Sequence, residues 1–150
     1  MDELNLEALL PELDSLLGWV SFLVRILVMA GPLCMLGLGL YYFLAPPPEA
    51  NHSAGYRFRY GMARVGSWRF MQKVAGAVLG ALGLVLTIVM ACICAGFANA
   101  PLPDQVMKAI WLLVWEIGLL AVAIAGINVT VIVVFDSEGN RRKDFKGIKF

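Results

Sequence analysis

The chain has 150 residues, 60% of them hydrophobic and only 15% charged, with a mean hydropathy of +0.77. That balance excludes a soluble globular domain of this size and places the chain in the membrane class. Twelve basic residues stand against eleven acidic ones, for a net charge of +1, so any asymmetry lies in where the charges fall and not in their sum.

Residues 1–16 carry Asp2, Glu3, Glu7, Glu12 and Asp14 with no basic residue. Leu6, Leu9, Leu10, Leu13, Leu16 and Leu17 recur at helical spacing opposite Glu7, Glu12 and Asp14, which predicts an acidic amphipathic helix bent at Pro11. Such a face suits a cationic peptide or protein partner; the plainer reading is a solvated face on an interfacial helix. No basic n-region precedes the next apolar run, and that run is too long for the h-region of a secretory leader, so the segment is expected to be retained.

Residues 17–44, 74–98 and 106–135 each exceed the roughly 20 apolar residues needed to cross a hydrocarbon core. The first of these spans contains Gly31-Pro32, where a missing backbone donor is expected to kink the helix. It also holds Arg25. Glu116 in the third span is its counterpart, and these are the only ionisable groups well inside the spans. Burying either alone at mid-membrane costs on the order of 3 kcal/mol, so two readings are open: an intramembrane charge pair, or two side chains snorkelling to the headgroups.

The loop at 45–73 carries Arg57, Arg59, Arg64, Arg69 and Lys73 against Glu49. Within it, Tyr56-Arg57-Phe58-Arg59-Tyr60 alternates aromatic and basic residues, which in an extended backbone puts three rings on one face and two guanidiniums on the other. Lying along the interface, it would sink rings among headgroups and aim arginines at phosphates or carboxylates. Gly55 and Gly61 bracket it with backbone freedom. Beyond Gly61 the spacing turns helical, with Arg64, Trp68, Met71 and Ala75 on one face of a short interfacial helix feeding the second span. On charge alone these arginines are topological anchors.

Residue types and order add a second reading. Pro46-Pro47-Pro48, Asn51, Gly55-Tyr56-Arg57, Met62, Trp68, Gln72 and Gly76 follow one another in the order of the SdpI family signature. The stretch from Ala45 to Gly83 thus resembles that family, bacterial polytopic membrane proteins named for an immunity protein against a secreted killing factor. The departure is Phe58, where the family usually has Thr. The resemblance implies protection against a membrane-active toxin, with Asn51, Gly55, Tyr56, Arg57, Arg59, Met62, Arg64, Trp68 and Gln72 as a partner- or headgroup-binding loop.

In the second span Gly76, Gly80 and Gly83 form a small-residue face suited to close helix contact, either within the chain or in a homo-oligomer. Cys34, Cys92 and Cys94 sit in apolar helix and read as packing residues. Asn128 and Thr130 are candidates for interhelical hydrogen bonds. With His52 as the only histidine, no His-cluster metal site and no cofactor are expected. No nucleophile beside a base, paired carboxylate or phosphate loop points to an enzyme, and nothing argues for nucleic acid.

Residues 99–105 contain only Asp104 among charged residues, whereas the tail at 136–150 carries Arg141, Arg142, Lys143, Lys146 and Lys149. Basic segments therefore alternate sides, and the positive-inside rule puts the N-terminus outside and the C-terminus in the cytoplasm. Trp19, Trp111 and Trp115 fall toward the outer ends of their spans, and Tyr41, Tyr42, Trp68 and Phe135 toward the inner ends. The tail, with Phe145 and Ile148 among its cations, suits the anionic inner leaflet.

The expectation is a single all-α integral membrane domain: three transmembrane helices, an N-terminal amphipathic helix and a cytoplasmic Arg/aromatic loop, in a bacterial cell membrane. It would act by binding lipids with anionic headgroups and a peptide toxin, protecting the membrane. The alternative is a small accessory or scaffold subunit docking a membrane protein partner. A transport or lipid-modifying role centred on Arg25 and Glu116 ranks third.

Overall fold

The computed structural model describes residues 6–50 and 54–145. Asp2, Glu3, Asn51, His52, Lys146, Ile148 and Lys149 lie outside these, as do the side chains of Leu6, Glu7, Leu9, Leu10 and Glu12, on which the expected amphipathic face rests. Four α-helices follow in chain order: α1 (Leu6–Leu44), α2 (Arg59–Met62), α3 (Val65–Ala95) and α4 (Leu102–Val134), with 3-10 turns at Gly96–Asn99 and Lys143–Phe145. Three of them are long and apolar enough to cross a membrane, over Leu13–Leu44, Val65–Ala95 and Leu102–Val134. The protein is a multi-pass, all-helical membrane protein.

Element boundaries differ from the sequence expectation in an instructive way. α1 runs without interruption from Leu6 through Pro11 and Pro32 to Leu44, so residues 6–16 of the acidic segment and the first span form one helix. α3 begins at Val65, and the expected interfacial helix is its first turns. α4 begins at Leu102 behind Pro101, with Pro103 in its first turn, where the absent donor is one the helix could not have used.

The three long helices bury little of their surface against one another. Trp19, Leu27, Val85, Ile88, Trp111, Trp115, Ile117 and Val122 are exposed, as lipid-facing flanks should be. The interior is built by close approach. A Cβ added to Gly76 would lie 2.6 Å from the Phe43 nitrogen and 2.9 Å from the Gly39 carbonyl oxygen, and one added to Gly39 or Gly83 would collide with the backbone of Gly80 or Leu36. Pairing Gly76 with Phe43, Gly80 with Gly39 and Gly83 with Leu36 makes α1 and α3 antiparallel. The small-residue face is thus used within the chain, where it lets two backbones touch without side chains between them.

Three clusters of buried side chains follow along the bundle. One joins Val28 and Met35 of α1 to Leu86, Met90 and Cys94 of α3, to Phe97 in the 3-10 turn and to Ala109 of α4. A second, central one joins Ala75 and Leu79 to Ile127. The third caps the end bearing the basic loop, with Trp68, Phe70 and Met71 against Val131, Val134 and Phe135.

Candidate functional site

Residues 54–73 pack onto that capped end, called here the basic end. Gly55 has φ +100°, and a Cβ there would meet the Trp68 indole at 2.8 Å. The position requires glycine twice over, for backbone conformation and for space. The turn at Gly55 aims the Tyr56 backbone at Gln72. The Tyr56 N–H donates to Gln72 Oε1 at 2.8 Å and Gln72 Nε2 donates to the Tyr56 carbonyl at 2.7 Å, so the side-chain amide mimics one rung of a β-ladder. Gln72 is wholly buried; in that setting an unmade hydrogen bond costs about 1–3 kcal/mol per group, and the clasp leaves neither backbone group unpaired.

Two further bonds fix the loop to the long helices. Trp68, also fully buried, donates from Nε1 to the Pro47 carbonyl at 2.8 Å. The Tyr56 hydroxyl donates to Asn128 Oδ1 on α4 at 2.9 Å. Burial pushes the Tyr56 hydroxyl above its ordinary pKa of 10.0, with the Asn128 hydrogen bond opposing the shift. The start of α3 is closed by Ser67, which accepts from the Arg64 N–H at 3.2 Å and turns its hydroxyl toward the Gly61 and Arg64 carbonyls at 3.1 and 2.9 Å. Gly61 sits under the Met71 side chain.

Burial alternates along the motif: Tyr56, Phe58 and Tyr60 are half-buried and Arg57 and Arg59 exposed. The rings face protein, packing against the Trp68–Met71–Val131 cluster, where the sequence reading had them among headgroups. Phe58 stacks on Tyr60 with centroids 5.7 Å apart and planes at 22°, which gives the residue that departs from the signature an apolar partner. Met62 joins the same cluster. Arg64 is exposed and donates from Nε to the Glu138 carbonyl at 3.1 Å. Asn51 lies outside the described residues. Asp136, which accepts from the N–H groups of Asn140 (2.7 Å) and Glu138 (3.0 Å), has its pKa lowered, mainly by the Asn140 backbone bond, and shapes the turn that brings Glu138 to Arg64.

Toward the opposite end, a second set of polar side chains lies between α1 and α4. Ser21 donates to Gln105 Oε1 at 2.6 Å, Arg25 Nη2 donates to Ser21 Oγ at 3.3 Å, and Gln105 Nε2 donates to the Ala100 carbonyl at 2.8 Å. Glu116, only 3% exposed, lies beside Gly31, whose added Cβ would be 2.6 Å from Glu116 Oε2. Arg25 Nε and Glu116 Oε1 are buried without a hydrogen-bond partner. Arg25 and Gly31 are separated by about 9 Å of helical rise at 1.5 Å per residue, and the Arg25 side chain runs back toward Ser21, as long helical side chains do. The two charges therefore share the interior without meeting.

Sequence reasoning missed several partners: the Pro47 carbonyl, Asn128 as the Tyr56 acceptor, Gly39, Ser67, and the Ser21–Gln105 pair. Asn128 was visible as a side-chain amide in an apolar span. Thr130 bonds to its own helix, at the Gly126 carbonyl (2.8 Å), and not across to a neighbour. Cys34, Cys92 and Cys94 are free thiols, and among the described residues no three His, Cys, Asp or Glu side chains group as metal ligands.

Compared with known proteins, the chain matches no family model, no curated protein and no solved structure.

Proposed function

We propose that this chain is a membrane-embedded binding protein that protects a bacterial cell membrane against an antimicrobial peptide or toxin, with its basic end in the cytoplasm and its N-terminus outside. The observation supporting a binding role is the clasped loop. Gln72 and Asn128 hold Tyr56 at three hydrogen bonds and Trp68 holds the Pro47 carbonyl with a fourth, and beside that frame Arg57 and Arg59 stand exposed. Guanidiniums on a pre-ordered backbone bind with less ordering entropy to lose than guanidiniums on a free loop. The immunity assignment rests on the signature resemblance, and the orientation on the positive-inside rule.

The test is expression in a sensitive bacterial host, scored for survival against a panel of membrane-active peptides. Raised survival against at least one peptide is expected, lost in Arg57→Lys and kept in Arg59→Lys at equal membrane expression, because lysine keeps the charge but not the forked donor geometry. Unchanged sensitivity across the panel, together with copurification of a stoichiometric membrane partner, would replace this reading with that of an accessory subunit.

A further inference from the structure

α1 outruns the helices it packs against, and the excess lies at the end away from the clasp. Ser21 meets Gln105, close to the start of α4 at Leu102. The antiparallel pairing of Gly76 with Phe43 and Gly83 with Leu36 carries Ala95, the end of α3, to the level of Val24. Residues 6–17 therefore run past both partners for about 18 Å at 1.5 Å per residue. The described side chains from Pro11 to Val20 are all exposed.

The side of α1 that builds the core continues onto this projection. Leu13, Leu17, Val24, Val28 and Met35 follow at intervals of four, seven, four and seven residues, the spacing of one helix face. Val28 and Met35 are buried against α3 and α4, and Val24 packs on the same cluster. Leu17 and Leu13 carry that side beyond the bundle and stand 49% and 51% exposed. Lipid tails do not reach them. From Val74 to Ala95 α3 carries no charged residue, a length of about 33 Å at 1.5 Å per residue, which matches the roughly 30 Å hydrocarbon core. The core thus ends near the level of Val24, with Trp19 and Phe22 in the interfacial belt. Leu17 and Leu13 stand about 10 and 16 Å further out, past a headgroup layer of about 5–7 Å.

Charge selects what covers them. Residues 1–24 hold Asp2, Glu3, Glu7, Glu12 and Asp14 and no Lys, Arg or His, and the first turn of α4 adds Asp104 beside the projection. Asp14 and Asp104 are exposed. The next cations are Arg25, turned toward Ser21 in the interior, and Lys108, a turn further along α4. A second copy of the chain would set acids against acids. We infer that the corner between the projecting part of α1 and the start of α4 docks a cationic amphipathic helix, its apolar side on Leu13 and Leu17 and its Lys or Arg residues toward Asp14 and Asp104. Such helices lie in the headgroup layer of a membrane, the level from which the corner opens. As the partner of a protective protein, that helix rests on the function proposed above; as a docked ligand, it rests on the exposed face and the acidic charge alone.

The experiment measures binding of a labelled amphipathic lysine/leucine peptide to the full chain in phosphatidylcholine nanodiscs, against empty nanodiscs and against a scrambled peptide of the same composition. Wild type should bind the amphipathic peptide in preference to both comparisons. Leu13→Gln combined with Leu17→Gln should weaken binding about tenfold or more, with thermal stability in detergent unchanged because both side chains are exposed. Asp14→Asn combined with Asp104→Asn should weaken it about threefold at low salt, a difference that shrinks at high salt. Equal binding of the scrambled peptide, or full binding in the leucine double variant, would overturn docking on this face. A wild-type dimer that the leucine double variant converts to monomers would assign the face to a second copy and overturn the cationic partner. Docking without raised survival against membrane-active peptides would refute the protective role alone, and raised survival without docking would refute this site alone.

Discussion

The clasp at the basic end and the polar layer around Arg25 and Glu116 treat buried polar atoms in opposite ways. At the clasp the Gln72 side-chain amide pairs with both backbone groups of Tyr56, the indole nitrogen of Trp68 reaches Pro47, and the hydroxyl of Tyr56 reaches Asn128. In the interior layer, Arg25 Nε and Glu116 Oε1 have no partner. A satisfied network rigidifies the fold it belongs to, whereas a half-satisfied one is retained at a cost in stability. Among the described residues of the loop, Gly55, Tyr56, Trp68 and Gln72 build the frame, and Arg57 and Arg59 stand exposed beside it.

Trp68→Ala attacks the satisfied side hardest. It opens a cavity in the cap and frees the Pro47 carbonyl, and should destabilise the protein by about 3–5 kcal/mol in reversible unfolding in mixed detergent micelles. Gln72→Leu keeps the volume but removes both hydrogen bonds, with an expected loss of about 2–3 kcal/mol. If Gln72→Leu proves as stable as wild type, the clasp is decorative and the contrast between the two regions fails.

The glycine seam joining the two regions gives the next effect. Gly76→Ala places a Cβ against the backbone of Phe43 and should cost about 1–3 kcal/mol. At Gly80 the nearest atoms to an added Cβ are 3.7 Å away, so Gly80→Ala should be neutral or stabilise α3 by up to about 1 kcal/mol. Equal sensitivity at the two positions, measured in the same unfolding assay, would show that the α1–α3 register is different from the one described.

A double-mutant cycle sharpens the unsatisfied side. Because Arg25 turns toward Ser21 and Glu116 toward Gly31, Arg25→Leu and Glu116→Leu should combine additively within about 0.5 kcal/mol. A larger favourable coupling would mean that the two charges pair directly in the bilayer. The smallest effect belongs to Asp136. Its folded pKa is depressed, so its contribution is present above the ordinary value of 3.8 and is lost as pH falls through the folded value. Hydrogen exchange at the Glu138 and Asn140 amides should rise across that acidic window relative to neighbouring loops, and Asp136→Asn should remove the pH dependence.

Composition and hydropathy alone determined the class, the three membrane-crossing helices and the alternation of basic segments, because each depends on residues close in sequence. The alternation of ring and arginine from Tyr56 to Phe58 was legible for the same reason, since a period of two is a local property of an extended backbone; that Arg59 and Tyr60 already belong to α2 was not. Which protein surface the rings meet was not, since that depends on where α3 and α4 pass. The glycines of α3 announced a close contact, but only helix register decided that Gly39, and not a second chain, fills it. Arg25 and Glu116 looked like partners because both stand in apolar helices; their separation follows from the parallel run of α1 and α4, which sets Ser21 opposite Gln105 and Gly31 opposite Glu116. The meeting of Arg69 and Lys73 with Arg141 around one hollow needed tertiary structure most of all, for Arg141 reaches α3 only after the chain has crossed the bundle and turned back.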